Sequence, residues 1–239
     1  MLLEVAEGDR LITAGRDCDI YDRGPRLVLR RSRSGQSQAA EAMVMDYLHA
    51  QGFPVPAIED VSADGTEVLM ERVDGPTMFE AVARRPTSVP AQARALAHLH
   101  RRLHRLAAPA YLPASPVGQG AQLVHLDLQP MNVILGSRGP VVVDWSNASA
   151  GPAAADVGAA WLSMEATRSP HAGIRMKAVS IVRSYMVRLF LDHLEREAAV
   201  RYLRALLAWK ASDPNTSLDE IESMWRVVER EERRQRGLE

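Results

Sequence analysis

The chain has 239 residues, 46% hydrophobic and 25% charged, an ordinary globular composition with length enough for one large domain or two lobes around a real core. A formal net charge of -1 excludes the basic excess that a dedicated nucleic-acid surface needs. The single cysteine, Cys18, excludes an intramolecular disulfide framework, and no apolar run approaches the ~20 residues of a membrane span. Met1-Leu-Leu is followed by Glu4, Glu7 and Asp9 where a signal peptide would be basic and apolar, so a cytoplasmic protein is expected.

In chain order, Leu2–Ala6, Arg10–Ala14, Asp19–Asp22 and Arg26–Arg30 read as short strands separated by Gly8, Gly15 and Gly24. A polar loop, residues 32–37, leads into an expected helix over 38–51, whose apolar residues Ala39, Ala42, Met43, Met45 and Leu48 have mostly helical spacing and which Gly52 stops. Phe53-Pro-Val-Pro-Ala57 is an extended connector, because each proline disfavours helix at the residue before it. Residues 57–62 and 67–73 then form a hairpin about Asp64-Gly65.

Beyond Gly75 the pattern turns helical. Met78–Arg84 is short, and Pro90–Leu106 carries a stripe of Leu96, Leu99, Leu103 and Leu106. His100 and His104 on it have the i, i+4 spacing of some metal pairs. No third ligand accompanies them in sequence, so packing or surface roles are expected. Residues 107–122 read as a loop. Helices are expected over 154–166, 174–194, 195–209 and 218–234, the last opened by a capping box of Ser217 and Glu220. The mixed charges of residues 229–236 suit a solvated helix end.

The stretch Leu123-Val-His-Leu-Asp-Leu-Gln-Pro-Met-Asn-Val-Ile-Leu-Gly136, followed by Pro140-Val-Val-Val-Asp-Trp145, holds the chemistry. Asp127 and Asn132 are spaced as in the kinase catalytic loop His-x-Asp-x-x-x-x-Asn, and Asp144 ends a short apolar run twelve residues later. Phosphoryl transfer needs an acceptor for the attacking hydroxyl's proton and oxygen ligands for magnesium. Asp127 can supply the first, Asn132 with Asp144 the second.

The pattern His125-x-Asp127-x-x-Pro130-x-Asn132-Val, then Val143-Asp144-Trp145, Gly151-Pro152 and Asp156, resembles the aminoglycoside phosphotransferase and choline kinase-like family. Its commonest loop wording has a glycine where this chain has Leu126 and a second histidine where it has Gln129. The resemblance implies a two-lobed α+β protein-kinase-like fold: residues 1–73 as a nucleotide-binding lobe of five antiparallel strands plus a helix, and 74–239 as a mainly helical catalytic and substrate-binding lobe. It implies ATP and Mg2+ as cofactors and a small-molecule hydroxyl as substrate.

The family's phosphate-binding lysine on the third strand is missing; the only lysines are Lys177 and Lys210. Arg30 is the candidate for that role, with Arg31 second, as either a working substitute or a weakened site. Glu41 is the expected partner of Arg30, and Glu71, Arg72 and Val73 form the hinge whose backbone would meet adenine. Residues 15–18 occupy the place of a phosphate loop, and Asp156 that of the aspartate bracing the catalytic loop. The alternative function is a non-catalytic, pseudokinase-like nucleotide-binding module.

Overall fold

The computed structural model describes residues 9–15, 17–166 and 174–237, the last from backbone alone as far as residue 179. The expected strand Leu2–Ala6 and Lys177's side chain lie outside this description. The chain forms two compact units: the described residues up to Pro76 together with Ile134–Ser146, and Thr77–Val133 together with the residues from Asn147 on.

The first unit is built on a five-stranded antiparallel sheet. Its strands are β1 (Leu11–Ala14), β2 (Cys18–Asp22), β3 (Leu27–Ser32), β4 (Ile58–Val61) and β5 (Glu67–Glu71), in spatial order β1-β2-β3-β5-β4. Helix α1 (Ala39–Ala50) lies between β3 and β4 in sequence and buries Glu41, Ala42, Val44, Met45 and Leu48. The period-two alternation of β3 separates its two arginines. Arg30 turns to the buried side, whereas Arg31 is exposed and pairs with Glu67 across the β3–β5 register.

Residues 134–146 belong to this unit for a visible reason. The returning chain forms its own ribbon, Val133–Gly136 against Gly139–Val142. The Leu135 N–H donates to Pro76 O at 2.9 Å and the Val142 N–H to Pro54 O at 2.8 Å. Trp145 then stands edge-on to Phe53, ring centroids 5.7 Å apart, and is fully buried.

The second unit contains α2 (Met78–Arg84), α3 (Val89–Leu103), α4 (Ala153–Ala166), α5 (Ile174–Asp192), α6 (Arg196–Val200), α7 (Leu203–Ala211) and α8 (Leu218–Gln235). Capping boxes open α2 (Thr77 with Glu80) and α8 (Ser217 with Glu220). Helix α4 is buried along nearly its whole length and packs against α5, α6, α7 and α8. Gly158 permits this: a Cβ there would stand 2.9 Å from Leu206 Cδ1 and 3.3 Å from Ala199 O.

Four expectations are revised. The helix expected over 195–209 is two helices, α6 and α7, because the chain bends at Arg201–Tyr202 to lay Ala199, Leu203 and Leu206 on α4. Helix α3 ends at Leu103, where Leu106 leaves the helical stripe and accepts a backbone bond from Leu123. The loop expected over 107–122 gives way at its last residue to a strand, Gln122–Val124, paired antiparallel with Ser149–Gly151. The charged end of α8 is not wholly solvated: Glu231 is buried and pairs with Arg196, Arg230 and Arg234.

Candidate active site

In the first unit, Arg30 and Glu41 form the ion pair expected from sequence, Nη1 to Oε1 at 2.6 Å, with both side chains largely buried. Burial alone would lower the guanidinium's pKa, but the charge and hydrogen bond of Glu41 outweigh it and raise the pKa above its ordinary value. The same Glu41 oxygen accepts the Trp145 N–H at 2.8 Å. That bond anchors the chain one residue beyond Asp144, which is exposed and sits at φ +66°. Asp tolerates this left-handed conformation better than most residues. One Asp144 oxygen accepts the Ser146 hydroxyl at 3.0 Å.

Arg30 and Asp144 line a cavity of about 500 Å³ together with Glu71, Arg72 and Val73 of the expected hinge and Cys18 at the start of β2. Glu41 stands behind Arg30 and does not line it. The hinge peptides differ in availability. The Glu71 N–H donates to Ala57 O and the Arg72 N–H to Arg26 O, each at 2.8 Å, while Val73 makes no hydrogen bond among the described residues. The Glu71 side chain is engaged by Arg138 and that of Arg72 by Asp22 and Asp74. Gly15 and Asp17 also line the cavity; Arg16 between them lies outside the described residues.

In the second unit, the loop expected to be catalytic carries Asp127 and Asn132. The Asn132 amide donates to the Asp127 carbonyl at 2.9 Å and to Asp127 Oδ2 at 2.8 Å, so the two residues the motif separates by five positions are held in contact. This leaves the Asn132 side-chain oxygen for another partner. Two residues not singled out from sequence also reach Asp127 Oδ1: the Ser163 hydroxyl at 2.7 Å and the Lys210 ammonium at 3.2 Å. Burial would raise the Asp127 pKa, but the Lys210 charge and the Ser163 hydrogen bond pull harder, and the carboxyl ends below its usual value. Gln129 stands 3.3 Å from Oδ2, at the position of the family's second histidine. Asp144 belongs to the other unit.

The loop is braced from behind. Asp156, fully buried on α4, accepts the N–H groups of His125 at 3.1 Å and Leu126 at 2.6 Å on one oxygen. Its other oxygen lies 2.7 Å from His104 Nε2 and 3.4 Å from His100 Nδ1. His100 Nε2 in turn donates to Leu128 O at 2.9 Å, and His125 Nδ1 accepts the Asp127 N–H at 3.3 Å. Burial opposes ionisation of Asp156, yet the hydrogen bonds and charges of His100 and His104 hold its carboxyl far below the usual range. The third partner of the histidine pair, missing in sequence, thus comes from residue 156. A separation of 2.7 Å fits a shared proton; two tetrahedral ligands each ~2.0–2.1 Å from zinc would stand farther apart.

The brace also bears on one of the loop's two departures, Leu126. Leu126 adopts φ +60°, a conformation natural for glycine and strained for leucine. Its side chain is fully buried and its N–H is the one held at 2.6 Å, so packing and Asp156 together impose the geometry.

The sequence matches the profile of the phosphotransferase enzyme family over residues 10–116 and 107–180. Among curated proteins no sequence matches it. The fold is similar to a thermostable mutant of aminoglycoside phosphotransferase APH(4)-Ia, solved with AMP-PNP and hygromycin B, at 13% identity and TM-score 0.63, over 93% of each chain. It is also similar to the amicoumacin kinase hAmiN, solved with AMP-PNP, Ca2+ and Ami, at 14% identity and TM-score 0.53, over 95% of this chain and 89% of that one. A choline/ethanolamine kinase family protein from Mesorhizobium loti aligns at 13% identity and TM-score 0.55, over 95% and 81%.

Proposed function

The chain belongs to the phosphotransferase enzyme family, and from that premise we propose that it transfers the γ-phosphoryl group of ATP to a hydroxyl of a small molecule, with Asp127 as general base. The observation that carries this reading is the contact between Asp127 and Asn132. The amide of Asn132 orients the carboxylate and its own carbonyl oxygen remains available.

The acceptor hydroxyl would lie within hydrogen-bond reach of Asp127. Its oxygen attacks the γ-phosphorus, the bond from phosphorus to the ADP oxygen breaks, and the hydroxyl proton passes to Asp127. The Asn132 oxygen and the Asp144 carboxylate are the hard oxygen donors that Mg2+ prefers, and they are the proposed metal ligands. Bound there, Mg2+ would neutralise charge on the phosphates. Arg30, fixed by Glu41, would meet the phosphates, and the uncommitted backbone of Val73 would meet adenine.

The test is a thermal shift with ATP, with and without Mg2+, on the wild type and Asp144→Ala. Saturation a hundredfold above Kd adds about 2.7 kcal/mol of stability. A magnesium-dependent shift lost in the variant supports the site. A metal-independent shift with no ADP formed would favour the non-catalytic nucleotide-binding module, and no shift with ATP or GTP would remove Arg30 from its phosphate role.

A further inference from the structure

The charge beside the proposed base has a consequence for the acceptor. Lys210 lies in the last turn of α7, its side chain 14% exposed, with Nζ 3.2 Å from Asp127 Oδ1. An ammonium has three donors, and among the described residues Asp127 is the only hydrogen-bonded partner of this one. The Trp209 ring stands beside it in a cation–π contact, 5.5 Å from Nζ to centroid. Lys210 therefore retains donors within reach of anything bonded to Asp127.

No carboxylate other than that of Asp127 pairs with Lys210 among the described residues, and several others of this unit are engaged elsewhere. Glu220 is held in its capping box, Glu222 pairs with Arg226, and Asp213 accepts the Asn215 N–H in a turn. Glu231 and Glu232 are taken by arginines. An acceptor's ammonium group next to the reacting hydroxyl would meet a carboxylate already neutralised, with a second cation on the same oxygen. An acceptor's carboxylate in that place would meet unused N–H donors.

We propose that Lys210 is an acceptor-binding cation, and that the alcohol phosphorylated by this protein is a hydroxy acid, its carboxylate close to the reacting hydroxyl. The proposal rests on Asp127 being the base of a phosphotransferase.

The test uses the full chain with Mg·ATP and reads slow ADP formation with water as acceptor, then its change on adding glycerate, glycerol or 3-amino-1,2-propanediol. These three probes share a carbon skeleton and differ in charge. A hydrogen bond between charged groups corresponds to about a 10–100-fold preference. Glycerate is expected to be phosphorylated, or to compete with water, at a concentration at least about tenfold below that of the amino diol. Lys210→Met should erase this ratio, and Lys210→Arg should retain most of it; taking ratios within each variant cancels any change in basal rate. Equal effects of glycerate and the amino diol, a preference for the amine, no effect of glycerate at all, or a ratio unchanged in Lys210→Met would each overturn the proposal. Absence of magnesium-dependent ADP formation with every probe would instead sink the phosphotransferase reading on which it rests.

Discussion

Glu41 and Trp145, 104 positions apart in the chain, are joined by one hydrogen bond: the Trp145 N–H donates to Glu41 Oε1 at 2.8 Å. The same oxygen holds Arg30 at 2.6 Å. One buried carboxylate thus fixes both the proposed phosphate-binding arginine and the turn that presents Asp144.

Removing it should therefore cost twice. Glu41→Ala leaves Arg30 with its charge buried and unpaired, and the Trp145 N–H without its acceptor. Breaking a buried pair from one side costs about 3–5 kcal/mol. Urea denaturation should show a loss of this order, together with weakened ATP binding. Glu41→Gln, which keeps an oxygen for the Trp145 N–H, should recover part of the stability.

At Asp144, the proposed metal ligand, substitutions can separate metal binding from folding. Its φ of +66° is tolerated by Asn, and its side chain is exposed. Asp144→Asn should melt within a few degrees of wild type while losing the magnesium-dependent stabilisation by ATP. Asp144→Val should lose that response and also about 1–2 kcal/mol, because its Cβ branch disfavours the left-handed region. Parallel melts with ATP alone and with Mg·ATP distinguish the two effects.

Leu126 sets strain against packing. Leu126→Gly, which restores the family's usual residue, relieves about 1–2 kcal/mol of left-handed strain. Truncating a fully buried leucine costs about 2.7–5 kcal/mol. The burial term is larger, so the variant should be less stable by about 1–3 kcal/mol in equilibrium unfolding. A more stable variant would mean that the backbone geometry, not the side chain, dominates here.

The β4–β5 hairpin has its own acid response. The Thr66 N–H and the hydroxyls of Ser62 and Thr66 hold the Asp64 carboxylate, lowering its pKa to about 2. A depressed folded-state pKa gives a contribution that is complete above the unfolded value of about 3.9 and is lost as pH falls through the folded value. The Asp64 carboxyl carbon should therefore titrate in NMR near pH 2, and Asp64→Asn should be destabilised at pH 7 while its deficit shrinks toward pH 2. Titration near pH 4 would show that the turn does not hold the charge.

Sequence reasoning reached the parts of this molecule that short-range rules govern. Helix α2 spans Met78–Arg84, as its pattern predicts, and the α8 capping box of Ser217 and Glu220 forms as expected, because a cap is decided within four residues. The resemblance of residues 26–31 to the family's third strand makes Arg30, ahead of Arg31, the expected partner of Glu41, and the two form an ion pair. Asp127 and Asn132 were likewise visible, since one loop carries both.

What local pattern could not show is what reaches the loop from elsewhere. Ser163 sits on a helix whose burial leaves it looking like any small packing residue, and Lys210 looks like a cation at a helix end. His100 and His104 had no visible third partner because Asp156 lies 52 positions beyond His104. The sequence by itself determined most of the strands and helices, the capping box of α8, and the residue types able to carry phosphoryl transfer, through interactions spanning a few residues. Only the tertiary structure decided that Lys210 meets Asp127 and Asp156 meets the histidines, because those pairings depend on where buried faces of α3, α4 and α7 pack, and packing over such separations leaves no periodic trace in the chain.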